Sequence, residues 1–182
     1  MALLSKFYKT IEGQIDSMLN QAGITNAPVP IESIAKSQGV QVVAYDLGNE
    51  ISGVLVIDEG SGTIGYNQDH PPVRQRFTIG HELGHYMLHV PRNKSKELFV
   101  DKDFIVKFRS QKPYTQTEIR HEQEANAFAA AILMPKTFII KEARNPKYAN
   151  YSETKLIEEL AKVFDVSVQA MTYRFADINL FS

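Results

Sequence analysis

Apolar residues recur at helical spacing over residues 3–20, where Leu3, Leu4, Phe7, Ile11, Ile15, Met18 and Leu19 share one stripe that runs out near Gly23. A shorter helix is predicted after Pro30, on Ile31, Ile34 and Ala35, stopping at Gly39. Beyond it the period changes from helical to strand-like. Val40–Leu47, Ile51–Ile57 and Thr63–Tyr66 are β-rich runs separated by Gly-Asn and Glu-Gly-Ser-Gly turns, and together they predict a small antiparallel sheet of three strands.

His70-Pro71-Pro72 opens the next helix, because proline is tolerated in a first helical turn. Its apolar stripe reads Val73, Phe77, Gly80, Leu83, Gly84 and Met87, and its other face carries Arg74, Thr78, His81, His85 and His89. Residues 91–117 hold the weakest pattern. Phe99–Phe108 is compatible with one strand, and the remainder is polar around Pro113. Another helix is predicted over Glu118–Leu133, ending at Met134-Pro135; two more follow Pro135 and Ser152, and a last one follows Ser167. The expected class is α+β. A mainly helical domain with the small sheet would occupy residues 1–150, and a C-terminal helical segment would occupy 151–182. In that segment Leu156, Leu160 and Ala161, a turn at Asp165-Val166-Ser167, then Val168, Met171 and Phe175 read as helix-turn-helix-like.

Composition narrows the chemistry. The 182 residues suffice for a real core, and 43% hydrophobic with 23% charged residues is ordinary for a globular protein in water. A net charge of −1 gives no overall pull toward nucleic acid or an anionic membrane. With no cysteine, disulfides, thiolate metal sites and cysteine nucleophiles are excluded, so any metal must sit on histidine and carboxylate. The N-terminal residues lack the apolar run of a signal peptide and no stretch is long enough to span a membrane, so a cytoplasmic protein is expected.

Residues 81–85 read His-Glu-Leu-Gly-His. On a helix, His81 and His85 lie one turn apart on one face and reach a common metal ion, with Glu82 beside them as the candidate general base toward an attacking water. Zinc chemistry needs a third protein ligand and one open position. His89 repeats the four-residue step, but at 1.5 Å per residue it stands about 12 Å along the axis from His81, too far to converge with it; a role at the helix end suits it better. The helix over Glu118–Leu133 is the better source, and two of its glutamates compete. Glu122 shares a face with Asn126, which could fix the far ring nitrogen of a ligand histidine, whereas four residues after Glu124 stands Phe128. This favours Glu122 without excluding Glu124. His121 is read as a neighbouring residue. Tyr66, on the strand before the motif helix, is a candidate oxyanion stabiliser, and that strand offers an edge for an extended peptide.

The run Arg76-Phe77-Thr78-Ile79-Gly80-His81-Glu82-Leu83-Gly84-His85-Tyr86-Met87-Leu88-His89 precedes a second one, Glu122-Gln123-Glu124-Ala125-Asn126-Ala127-Phe128-Ala129-Ala130-Ala131-Ile132-Leu133-Met134-Pro135. This pairing resembles the ImmA/IrrE family of zinc metallopeptidases, as does Leu160–Ser167 with Ala170, Met171 and Arg174. The resemblance implies a zincin-like domain, a zinc cofactor held by His81, His85 and Glu122, and an anti-repressor protease. Its expected substrate is a helix-turn-helix repressor of a mobile element, phage or stress regulon. Many relatives carry an N-terminal DNA-binding domain for which this chain has no room, so the partner is expected to be a separate, co-encoded protein.

Two other readings compete. The C-terminal segment suggests a DNA-binding regulator, but its last helix offers only Gln169, Thr172 and Arg174 as polar contacts, little positive charge for phosphate, which argues against direct DNA binding. A metal-bound interaction module without turnover, such as an antitoxin, would have no need of Glu82.

Overall fold

A computed structural model describes residues 2–58, 61–90, 96–102 and 115–178. The chain opens with helix α1 (Ala2–Gln21) and the short α2 (Ile31–Ser37), then strands β1 (Val40–Tyr45), β2 (Ile51–Asp58) and β3 (Ser61–Asn67). Helix α3 (Pro72–His89), strand β4 (Lys96–Lys102) and helix α4 (Gln116–Leu133) follow. Helix α5 (Lys136–Ala143), a 3₁₀ turn (Pro146–Tyr148), α6 (Glu153–Phe164) and α7 (Val168–Asp177) complete the order. The α+β class is as the patterning predicts. These elements fall into two units, Pro30–Ala129 and Met1–Val29 with Ala130–Ser182.

In the unit Pro30–Ala129 the strands form one sheet in the order β1-β3-β2-β4. The expected antiparallel sheet of three strands is corrected in two respects. The sheet gains a fourth strand, β4, antiparallel to β2, and β1 runs parallel to β3 with Val40 opposite Gly62. Physically, β2 and β3 form a tight antiparallel hairpin, Asp58 opposite Ser61, and β1 docks on the free side of β3 instead of pairing with β2, its neighbour in sequence. Buried Asn67 holds the β1–β2 connection, donating from Nδ2 to the carbonyls of Gly48 (2.6 Å) and Ile51 (2.9 Å). The strand expected at Phe99–Phe108 begins earlier, at Lys96; residues 103–110 lie outside the described residues.

Leu55, Ile57 and Ile64 of the sheet, Ile31 and Ile34 of α2, Ile79 and Leu83 of α3 and Phe128 of α4 are buried within this unit. Helix α3 departs from the expected two-faced pattern. Every residue from Thr78 to His85 is buried, whereas Met87, placed on the apolar stripe, is 40% exposed. The cause is that α3 is covered from more than one side, by β2 and β3, by α2, and by α4.

In the other unit Ile11, Ile15 and Leu19 of α1, Ile139 of α5, Leu160 and Phe164 of α6, and Met171 and Phe175 of α7 are buried. Ser152 and Ser167 cap α6 and α7, each accepting from a backbone N–H three residues on, and Asp165 ends α6 in the left-handed region at φ 53°. Arg174, one of the three polar groups considered for DNA contact, is buried; its Nε donates to the Met134 carbonyl (2.9 Å) and its guanidinium pairs with Glu12. It therefore serves packing within the unit, and two helices joined by a tight turn are not by themselves a DNA reader. Among the described residues, no helix is long and apolar enough to cross a membrane.

Candidate metal centre

The geometry of the site starts from glycine. A Cβ on Gly53 of β2 would overlap the Thr78 methyl of α3 and stand 3.2 Å from Glu82 Oε1; one on Gly62 of β3 would stand 2.8 Å from the Tyr86 ring. On the opposite side a Cβ on Gly84 would meet the Ala125 Cα and carbonyl oxygen of α4 at 3.1 Å, and Phe128 Cβ at the same distance. Glycine at these places lets sheet and helices approach closely enough to exclude water from the middle of α3. Here the small residues of α4 meet Gly84, which brings the acidic face of α4 against the histidines.

His81 Nε2 and His85 Nε2 stand 3.0 Å apart, 4% and 5% exposed. Glu122 closes the group, with Oε2 3.4 Å from His81 Nε2 and Oε1 3.6 Å from His85 Nε2. One ligand atom from each of the three residues lies within 4.8 Å of the others. A tetrahedral zinc with bonds of about 2.0–2.1 Å wants its ligand atoms about 3.3 Å apart, so two imidazole nitrogens 3.0 Å apart, each facing one oxygen of the Glu122 carboxylate at 3.4 or 3.6 Å, fit the ion in chemistry and approach it in spacing. Burial alone would raise the Glu122 carboxyl, but hydrogen bonds with His81 and His85 outweigh it and hold the group well below the usual carboxylate range. A carboxylate kept ionised beside two imidazoles is the donor set that a cation would need.

The far ring nitrogens are also engaged. Asn126 Oδ1 lies 3.0 Å from His81 Nδ1; an amide oxygen only accepts, so His81 Nδ1 donates to it, which leaves Nε2 as the nitrogen that faces Glu122 and would bind a metal. His85 Nδ1 stands 3.1 Å from His89 Nδ1, and His89 Nε2 stands 3.0 Å from Glu124 Oε2. Burial lowers the His89 pKa by more than its hydrogen bond to Glu124 raises it; with added lowering from His121 and His85 it falls to about 4, leaving the ring neutral at pH 7. The two glutamates are thus divided, Glu122 turned to the histidine pair and Glu124 to His89 and to Arg120, whose Nε donates at 2.7 Å. His121 stacks on His89 with ring centroids 4.0 Å apart. Sequence reasoning missed the Glu124–His89 contact; Arg120, four residues before Glu124, was the available sign that this glutamate too had a fixed place.

Glu82 is fully buried, on the side of α3 that faces Gly53. Burying a carboxylate is costly, and one kept next in sequence to His81, on a helix whose histidines converge with Glu122, marks a candidate reactive group. Tyr66 sits on β3 opposite Gly53 in the antiparallel register, half-buried, which puts it on the α3 side of the sheet. The three-residue ligand group does not include it.

A family model described as the IrrE N-terminal-like domain, Peptidase_M78, matches residues 35–176. The chain is also similar to the Metallopeptidase ImmA of Bacillus subtilis (strain 168), 25% identical over 174 residues that cover 96% of this chain and 89% of the relative. A second relative, named "Uncharacterized immunity region protein 2" from Bacillus phage phi105, is 26% identical over 146 residues, 78% of each chain.

Proposed function

Because the chain belongs to the Peptidase_M78 family of metallopeptidases, we propose that it is a zinc-dependent endopeptidase with His81, His85 and Glu122 as its ligands and Glu82 as its base. The observation that carries this reading is the convergence of two imidazole Nε2 atoms and the Glu122 carboxylate from two helices. Bound there, zinc supplies Lewis acidity, making water acidic near neutral pH and drawing electron density from a carbonyl. The protein's own groups do the rest. Asn126 holds His81 in the ligating tautomer. Glu82 takes a proton on its carboxylate as the water oxygen bonds to the scissile carbonyl carbon, then gives that proton to the amine nitrogen as the C–N bond breaks. The burial of Glu82 keeps solvent from competing for the proton. Tyr66 would donate its hydroxyl to the oxygen that becomes negative.

The proposed substrate is a helix-turn-helix transcriptional repressor encoded beside this protein, the enzyme acting as an anti-repressor in the cytoplasm. Two findings support it: the similarity to a Metallopeptidase ImmA, and the similarity to a protein named for a phage immunity region. The test is co-incubation with that repressor. Wild-type protein should cut it at a defined bond, chelator should stop the cut, and Glu82→Gln should abolish the cut while retaining stoichiometric zinc. Cleavage at the normal rate by Glu82→Gln would remove Glu82 from the mechanism, and an intact repressor at every enzyme concentration would remove the substrate.

A further inference from the structure

A second row of polar side chains backs the ligand group, and one of its members is the histidine that spacing keeps out of the metal's reach. His89 lies one turn beyond His85, its side chain 3% exposed, between His85 Nδ1 at 3.1 Å and Glu124 Oε2 at 3.0 Å. Glu124 reaches it from α4 and is itself anchored by Arg120 through its other oxygen, Oε1, at 2.7 Å. His121 lies flat against the His89 ring, 14° from parallel, which fixes the ring plane.

The proton directions follow from chemistry. An ionised carboxylate can only accept, so His89 Nε2 donates to Glu124. A neutral imidazole that gives one proton keeps a lone pair on the other nitrogen, so His89 Nδ1 accepts. The donor it faces is His85 Nδ1–H, which in a neutral ring leaves the lone pair on Nε2, 3.0 Å from its counterpart in His81, where a shared proton or a metal ion has to lie between the two nitrogens. Were the chain of bonds reversed, His85 would carry its proton on the atom that has to bind metal.

We propose that Glu124 and His89 are positioning residues which, through a carboxylate–imidazole–imidazole relay, hold His85 in its metal-binding tautomer and orientation. The inference rests on the metal reading given under Proposed function and deepens it. Asn126 of α4 performs for His81 in one step what His89 of α3 and Glu124 of α4 perform for His85 in two, so each ligand histidine has its own orienting group. A partner on the far nitrogen of a ligand histidine is worth about 10–100-fold in metal affinity.

The experiment is a zinc titration of the full chain against a chromogenic chelator, with thermal unfolding of each metal-free variant as a fold control and nitrogen NMR of the metal-free histidines as the second readout. His89→Ala should weaken zinc binding by about 10–100-fold. His89→Gln, whose amide oxygen still accepts from His85 Nδ1–H, should recover most of that loss, and Glu124→Ala should fall between the two. The NMR spectrum should report His85 protonated at Nδ1 in the wild type and mixed between tautomers in His89→Ala. Wild-type affinity in His89→Ala overturns the relay, as does a His89→Gln variant no better than His89→Ala, because then only ring packing was lost. Should His89→Ala not fold, Glu124→Ala and the wild-type tautomer decide alone, and a His85 without a proton on Nδ1 overturns the proposal. A wild-type chain that fails to bind zinc overturns the metal reading itself and the relay's purpose with it, a result distinct from intact wild-type binding with unchanged variants.

Discussion

At the residue scale, burial sets the protonation of His89 and makes it measurable. Its pKa is lowered to about 4 in the folded chain, chiefly by burial, while in the unfolded chain it sits near 6.5. Above pH 6.5 both states hold the ring neutral and no pH dependence arises. Between 6.5 and 4 the unfolded chain binds a proton that the folded chain refuses, so metal-free stability falls with acid by up to about 1.4 kcal/mol per pH unit, and this contribution levels off below 4. Denaturant unfolding of the metal-free protein across that range should show the slope, and His89→Gln should flatten it; equal slopes would deny that His89 is buried neutral. Tyr66 belongs to the same scale. Tyr66→Phe is expected to lower kcat by about 10²–10³ with zinc affinity unchanged, the cost of one oxyanion donor, and an unaltered kcat would return it to an ordinary strand aromatic. His81, His85, Glu122 and Asn126 were legible in the sequence because each pair repeats the helical turn. The bond between His89 and Glu124 was not, because it depends on how two helices cross and not on the spacing along either one.

At the scale of elements, the site depends on how closely α3 meets α4. Gly84 faces the Ala125 backbone and Phe128 Cβ at distances where a Cβ is already tight, so the branched side chain of valine has nowhere to go without separating the helices. Gly84→Val should cost about 1–3 kcal/mol of stability and, by drawing Glu122 away from the imidazoles, weaken zinc binding by more than tenfold. A folded variant with wild-type zinc affinity would mean that the ligand group tolerates a wider spacing than the structure gives it. The helices themselves were readable from apolar periodicity, Pro72 at the start of α3 and Ser152 and Ser167 before the last two. The sheet order was not. Alternation identifies a strand but carries no information about its neighbour, and the docking of β1 on β3 is a tertiary choice. The full burial of α3 from Thr78 to His85 was hidden for a related reason. A helix covered on several sides still displays histidines and a glutamate in sequence, and those suggest an exposed face until the chemistry that keeps them is identified.

At the scale of the whole molecule, every group assigned to the chemistry, from Tyr66 through Glu82 to Asn126, lies within the unit Pro30–Ala129. The other unit is built from residues far apart in sequence, Met1–Val29 with Ala130–Ser182, and a unit that the chain leaves and re-enters shows no linker to a reader of sequence. In the proposed function one divalent ion is held jointly by α3 and α4. X-ray absorption at the zinc edge of the loaded protein, wild type beside Glu122→Ala, decides the matter. Wild type should hold one zinc per chain, bound by two imidazoles and a carboxylate oxygen at about 2.0–2.2 Å, and the metal should be lost or rearranged in Glu122→Ala. Identical spectra from the two proteins, or a wild type that takes up no zinc, would contradict it.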